Sequence, residues 1–179
     1  MMFRNICGFT ALTYHFYPVT LAYELVHTGA EEPLLRDEVY CQLIKQTTAC
    51  EMVTPARINV LEKGLKLWYI CLDSFQPSPA LCPYVLSHLA AICRSHSPPA
   101  VTPNDSTSQN EPSTQSGHQG QLGIFELSLH CLQACFRPPS SKLMSMAAIG
   151  KLGENASCFP VHSWPPNFDL DLTAHQLES

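Results

Sequence analysis

The sequence predicts an all-α fold, a compact bundle of about five or six helices interrupted by a disordered insert. Three observations predict it. Apolar residues recur at three- and four-residue offsets in several separate stretches. Proline falls between those stretches or at their first turns, where it ends or starts a helix. One run of roughly thirty residues has almost no large apolar side chain and cannot bury enough surface to order itself. With 179 residues and 45 % hydrophobic content the chain can build one core, so one domain plus tails is the economical division.

Residues 1–19 show no clear period and read as a poorly patterned lead-in, a weak helix at most. His15, Tyr14 and Pro18 break the apolar run at the start, which makes neither a signal peptide nor a membrane span of about twenty apolar residues. Thr20 is placed to cap a helix running to His27, with Leu21, Leu25 and Val26 inward and Gly29 as its stop. Leu34 to Thr48, LLRDEVYCQLIKQTT, contains no Pro or Gly, and Leu35, Val39 and Leu43 recur every fourth residue with Tyr40 and Ile44 beside them. That spacing is a helix with one buried face. Pro33 suits its first turn, and Glu31 and Glu32 its positive end. Its other face carries Arg36, Asp37, Glu38, Gln42, Lys45 and Gln46.

After an interruption around Pro55, the stripe Leu61, Leu65, Trp68 and Leu72 predicts another helix, with Tyr69 and Ile70 widening its buried surface. The Gln76–Pro79 turn ends it. Leu81, Val85, Leu89 and Ile92 start the next helix, whose short connection implies antiparallel packing on its predecessor. Residues 95–123 are the predicted insert, rich in Ser, Pro, Thr, Asn and Gln; Ser97-Pro98 and Thr102-Pro103 make a phosphorylated or partner-binding loop the functional alternative to a plain linker. Periodicity resumes at Ile124, with Phe125, Leu129, Leu132 and Phe136 on one stripe. Residues 150–179 carry Pro160, Pro165, Pro166 and an acidic run without a period, and read as an unstructured tail.

Three stretches carry a resemblance. LRDEVYCQLIKQTT, with Leu35, Arg36, Asp37, Glu38, Tyr40, Cys41, Gln42, Leu43, Ile44, Lys45 and Gln46, resembles the signature helix of the myosin tail homology 4 domain. Gly64 to Phe75, with Trp68, followed by Pro77 and Ser78, resembles the later Trp-containing helix of that family and its Phe-x-Pro-Ser end. Arg137 to Ile149, with Pro138, Pro139 and Ser140, resembles its closing turn and short last helix. The matches span residues 20–149 around the insert. The resemblance implies an all-helical domain of the kind found in unconventional myosin tails and in related FERM, pleckstrin-homology or Rho-GTPase-activating proteins.

The chemistry the sequence holds is that of a binding module. It has no Gly-x-Ser-x-Gly elbow, no phosphate-binding Gly-rich loop and no His-Glu-x-x-His, so neither an enzyme nor a cofactor is expected. Asp37 and Glu38 point about 100° apart on one helix and cannot converge as a general acid and base; salt bridging or capping of a neighbouring helix end is the expected role. Nine cysteines include Cys41, Cys71, Cys82, Cys131 and Cys135 among apolar positions of helical patterns, which reads as reduced core thiols. No paired Cys-x-x-Cys spacing points to a metal, and a net charge of −5 with 10 Lys and Arg argues against nucleic acid.

The resemblance implies a cytoplasmic, cytoskeleton-associated adaptor that binds a cytoskeletal protein or a cargo-tail peptide, with a FERM domain in the full-length host. An acidic microtubule surface needs a basic patch, for which Lys45, Arg57, Lys63 and Lys66 are the candidates; four scattered cations predict weak tubulin binding by this chain alone. The alternative is a non-catalytic fragment of a larger motor ATPase or Rho GTPase activator.

Overall fold

A computed structural model describes residues 2–10, 17–48, 54–97, 115–140 and 142–154. Among them are seven α-helices, one 3-10 turn and no strand: α1 (Met2–Phe9), α2 (Pro18–Glu31), the turn Pro33–Leu35, α3 (Arg36–Thr48), α4 (Pro55–Ser74), α5 (Cys82–Ser95), α6 (Gln115–Cys135) and α7 (Met146–Glu154). The fold is all-α.

Four of the helices close a ring. Gly64 of α4 lies against Thr47 of α3 and the Trp68 ring stacks on Tyr40 at 5.4 Å, so α3 and α4 run antiparallel. Ser78, at the entrance to α5, bonds Asp37 at 2.8 Å while His88 meets Thr47 at 2.6 Å, so α5 runs parallel to α3. Cys131 donates to the Leu65 carbonyl and Gln76 to the Ala134 carbonyl, so α6 runs parallel to α4. The packed pairs are α3 with α4, α4 with α6, α6 with α5 and α5 with α3. The antiparallel direction predicted for α5 against α4 holds, but the predicted close packing of the two is corrected. The two helices face each other across the ring and meet through the Trp68 and His88 rings, 6.0 Å apart. A short connection sets proximity at the turn; the apolar faces select the neighbour, and α5 turns Val85, Leu89 and Cys93 inward towards α6.

Helix starts follow proline. Pro18 and Pro55 occupy the first turns of α2 and α4, where a missing amide costs nothing. Pro18 starts α2 before Thr20 could cap it, and Gly29 lies inside α2 instead of stopping it. A Cβ at Gly29 would run into the Phe75 ring, so this glycine serves close packing. Glu31 ends α2, where it pairs with His27 at 2.9 Å, instead of starting the next helix; Asp37 and Glu38 fill the first turn of α3.

Within the expected lead-in, α1 packs on α2, α3 and α4 with Ile6 and Phe9 buried. A helix of two turns holds too few repeats to show a period, and tertiary contact stabilises it. The stretch 98–114 of the expected insert lies outside the described residues, whereas 115–123 form the first turns of α6. Helical bonding propagates there from a packed segment, and among the residues whose side chains are described the buried face of α6 starts at Ile124. That face is Ile124, Leu127, Cys131 and Ala134, rotated from the predicted one: Phe125 and Leu129 are half-buried and Phe136 is 45 % exposed. α7 carries the chain in helix to Glu154, and the tail beyond it lies outside the described residues.

The core is one cluster built on Trp68, Tyr40, Tyr69 and Phe75, with Leu61, Leu65 and Leu72 of the predicted stripe all buried. His88 lies beside this cluster against the Trp68 ring, and burial pushes its pKa down to about 4. Thr47 spends its hydroxyl proton on the Leu43 carbonyl at 2.8 Å and accepts from His88 Nε2 at 2.6 Å, while burial is what keeps the ring neutral. The unfolded chain takes up a proton near pH 6.5 and the folded chain only near 4, so stability present above 6.5 is lost as pH falls between them. The loss should reach about 2 kcal/mol at pH 5. Urea melts of wild type and His88→Gln from pH 7 to 5 check it, since the variant should show a visibly flatter pH profile.

Candidate partner-binding surface

Two charged residues of the polar signature row, Arg36 and Asp37, are spent inside the molecule. Arg36 Nε donates to the Gly29 carbonyl at 2.8 Å and Nη2 to the Ala30 carbonyl at 3.0 Å. The amide that would have satisfied Gly29 belongs to position 33, a proline, so the guanidinium closes the end of α2. Asp37 Oδ1 accepts from the Ser78 amide at 2.8 Å and fixes the turn into α5. Tyr40 donates to the Phe75 carbonyl, while Glu38 accepts from Gln42 at 2.6 Å on the surface. Leu43 is buried, Ile44 is half-buried against the core, and Leu35, Cys41 and Gln46 are half-buried. Asp37 therefore holds the turn three residues ahead of the α5 N-cap, Leu81, and does not cap the helix itself.

The closing turn is fastened to α4 in the same way. Gln76 Nε2 faces three carbonyls, Leu72 at 2.9 Å, Ala134 at 3.1 Å and Arg137 at 3.2 Å. Arg137 pairs with Asp73 at 3.2 Å and lies over the Tyr69 ring, and Ser140 bonds Asp73 through both its amide and its hydroxyl. Pro138 and Pro139 remain exposed. Gln76 and Asp73 were not singled out in the sequence, because their partners lie about sixty residues away in the chain. With Pro33, Leu34, Pro77 and Pro79, Pro139 lines a groove of about 510 Å³; Leu34 in its rim is 92 % exposed.

The predicted cations divide. Lys45 and Arg57 are exposed and Lys63 is half-buried. Lys66 is only 5 % exposed and its ammonium pairs with Glu62 at 2.9 Å, which withdraws it from any partner surface. It points inward because the buried face of α4 is broad enough to include its position beside Leu65 and Leu67. Cys71 and Cys131 are buried, Cys41, Cys82 and Cys135 partly so, and all five are free thiols. Burial raises the Cys71, Cys82, Cys131 and Cys135 thiols above the ordinary range, so these side chains act as apolar core and not as nucleophiles. Among the described residues no group of His, Cys, Asp and Glu is arranged to hold a metal, and no helix is long and apolar enough to cross a membrane.

Comparison with known proteins agrees with this architecture. The high molecular weight form of myosin-1 from Acanthamoeba castellanii is 38 % identical over 90 residues, which is 50 % of this chain and 5 % of that protein. The chain thus spans a small part of that relative's length. The solved MyTH4-FERM MF1 domain of Dictyostelium discoideum myosin VII shares the fold over 86 % of this chain and 27 % of that one, with a TM-score of 0.52 and 17 % identity. A family model described as the MyTH4 domain matches residues 22–118, more than half of the chain and the stretch that includes α3, α4 and α5. The chain belongs to the MyTH4 domain family.

Proposed function

We propose that this chain is a cytoskeletal binding or adaptor module, residues 20–149 forming the module and residues 150–179 its tail. It works in the cytoplasm in association with the cytoskeleton, contacting microtubules or a cargo tail alongside a FERM domain in the full-length host. In a longer myosin or Rho-GTPase activator it is a non-catalytic part.

The observation that carries this reading is the family match over residues 22–118, in a chain whose signature groups Arg36 and Asp37 are spent on its own backbone. What remains for a partner is surface, not a reaction centre. Tubulin presents acid, and Lys45 and Arg57 with the half-buried Lys63 are the candidate contacts. So few cations in an acidic chain give a weak interaction. In cosedimentation with polymerised tubulin the chain alone should pellet weakly at low salt and lose that binding at physiological salt. Micromolar affinity in physiological salt would contradict it.

A further inference from the structure

Three turns meet at one end of the bundle and leave an apolar groove between them. The turn before α3 brings Pro33 and Leu34, the connection from α4 to α5 brings Pro77 and Pro79, and the segment after α6 brings Pro139, around a space of about 510 Å³. At 92 % exposed, Leu34 is the barest large hydrophobic side chain among the described residues. Its backbone is nevertheless fixed. Proline holds φ at position 33, the Leu35 amide bonds the Glu32 carbonyl at 2.9 Å, and Arg36 ties the start of α3 to the end of α2. A bare leucine on a fixed turn can anchor a partner without first losing backbone freedom.

The groove is poor in free donors and rich in negative charge. Proline carries no amide proton, the Ser78 amide is spent on Asp37, Gln76 Nε2 faces three carbonyls, and the Arg36 guanidinium serves two more. Beside Pro33 and Asp37 stand the exposed carboxylates of Glu31, Glu32 and Glu38. Glu31 pairs with His27 at 2.9 Å and Glu38 accepts from Gln42, which leaves Glu32 the least engaged of the three. On the cationic side, Arg137 is paired with Asp73, and Lys142, two residues beyond Ser140, is exposed. Three rim carboxylates thus stand against one exposed ammonium.

We propose that this groove docks a short basic peptide with aliphatic residues at its centre, the aliphatic side chains lying against Leu34 and the proline rings while flanking Lys or Arg reach Glu31, Glu32 and Glu38. This rests on the reading of the chain as an adaptor for a cargo tail and names the chemistry of that tail. Charge complementarity selects the occupant. A second copy meeting the groove through the same face would bring the same carboxylates against one another, and an acidic segment would meet them uncompensated. Burial of the leucine supplies an attraction that salt does not screen, and the rim charges orient the peptide.

The test uses the full chain and the fluorescein-labelled peptide KKALLAKK, read by fluorescence anisotropy, with the equally charged KKASSAKK as control. Wild type should prefer KKALLAKK by about fivefold or more, and Leu34→Ser should weaken that binding about three- to tenfold. Glu32→Lys should weaken it about three- to fivefold, and Glu126→Lys, at an exposed position more than two turns short of the end of α6, by less than about twofold. Leu34 and Glu32 are exposed, so these variants should keep the wild-type melting temperature. Equal binding of the two peptides, full binding by Leu34→Ser, or equal losses from the Glu32 and Glu126 reversals would each overturn the groove. So would a wild-type dimer in sedimentation velocity that Leu34→Ser abolishes, since it would give the face to a second copy. Microtubule pelleting separates this proposal from the reading beneath it, because Leu34→Ser should pellet as wild type does. A chain that pellets but ignores KKALLAKK overturns the groove and leaves the cytoskeletal reading. One that binds KKALLAKK through Leu34 but never pellets removes the tubulin contact and leaves the groove.

Discussion

Trp68→Ala should destabilise the domain by about 3–5 kcal/mol, a third or more of the stability of an ordinary domain. The ring is fully buried, stacks on Tyr40 and faces His88 across the helix ring, so it touches α3, α4 and α5 at once. Removing it opens a cavity where three elements meet, and the four-helix ring cannot collapse into that space without moving a helix. Its indole Nε1 has no hydrogen-bond partner among the described residues, so the loss is one of packing and not of a polar link. Urea unfolding followed by far-ultraviolet circular dichroism checks this; Trp68→Phe should retain more than half of the lost stability. A loss below about 1 kcal/mol for Trp68→Ala would mean that the ring is not the centre of the core.

Arg36→Ala should cost on the order of 2–3 kcal/mol, from two charge-assisted bonds to backbone carbonyls and the stacking of the guanidinium over Phe75 at 5.9 Å. The effect exceeds that of an ordinary surface arginine because Pro33 offers no amide to the Gly29 carbonyl. Arg36→Lys keeps the charge but not the fork that serves two adjacent carbonyls, and should recover less than half of the loss. The same urea melts decide it. Equal stability of the Lys variant and wild type would show that charge at the end of α2, and not the paired hydrogen bonds, is what matters.

The sequence was most legible where a helix buries a regular stripe. Leu61, Leu65, Trp68 and Leu72 could be read as one buried face because each contributes to the same core, and the Pro33 to Asp37 turn showed where one helix gives way to the next. It was least legible where burial is uneven. α1 has too few turns to show a period, and the stripe of α6 is rotated because small and polar residues, Ser128 and Ala134, occupy buried positions there. The surface was harder still. Lys66 is the same residue type as Lys45 and Lys63 but differs from them in burial.

By itself the sequence determined the helical class, most of the core of α3 and α4, and the family signature, because apolar period and turn chemistry are local properties that each segment carries with it. Only the tertiary structure decided what the polar residues of that signature do. A guanidinium or carboxylate on a helix face is free or spent according to which carbonyl or amide the packing of distant helices brings within reach. Arg36 and Asp37 of the signature helix are engaged in that way, on the end of α2 and on the turn into α5.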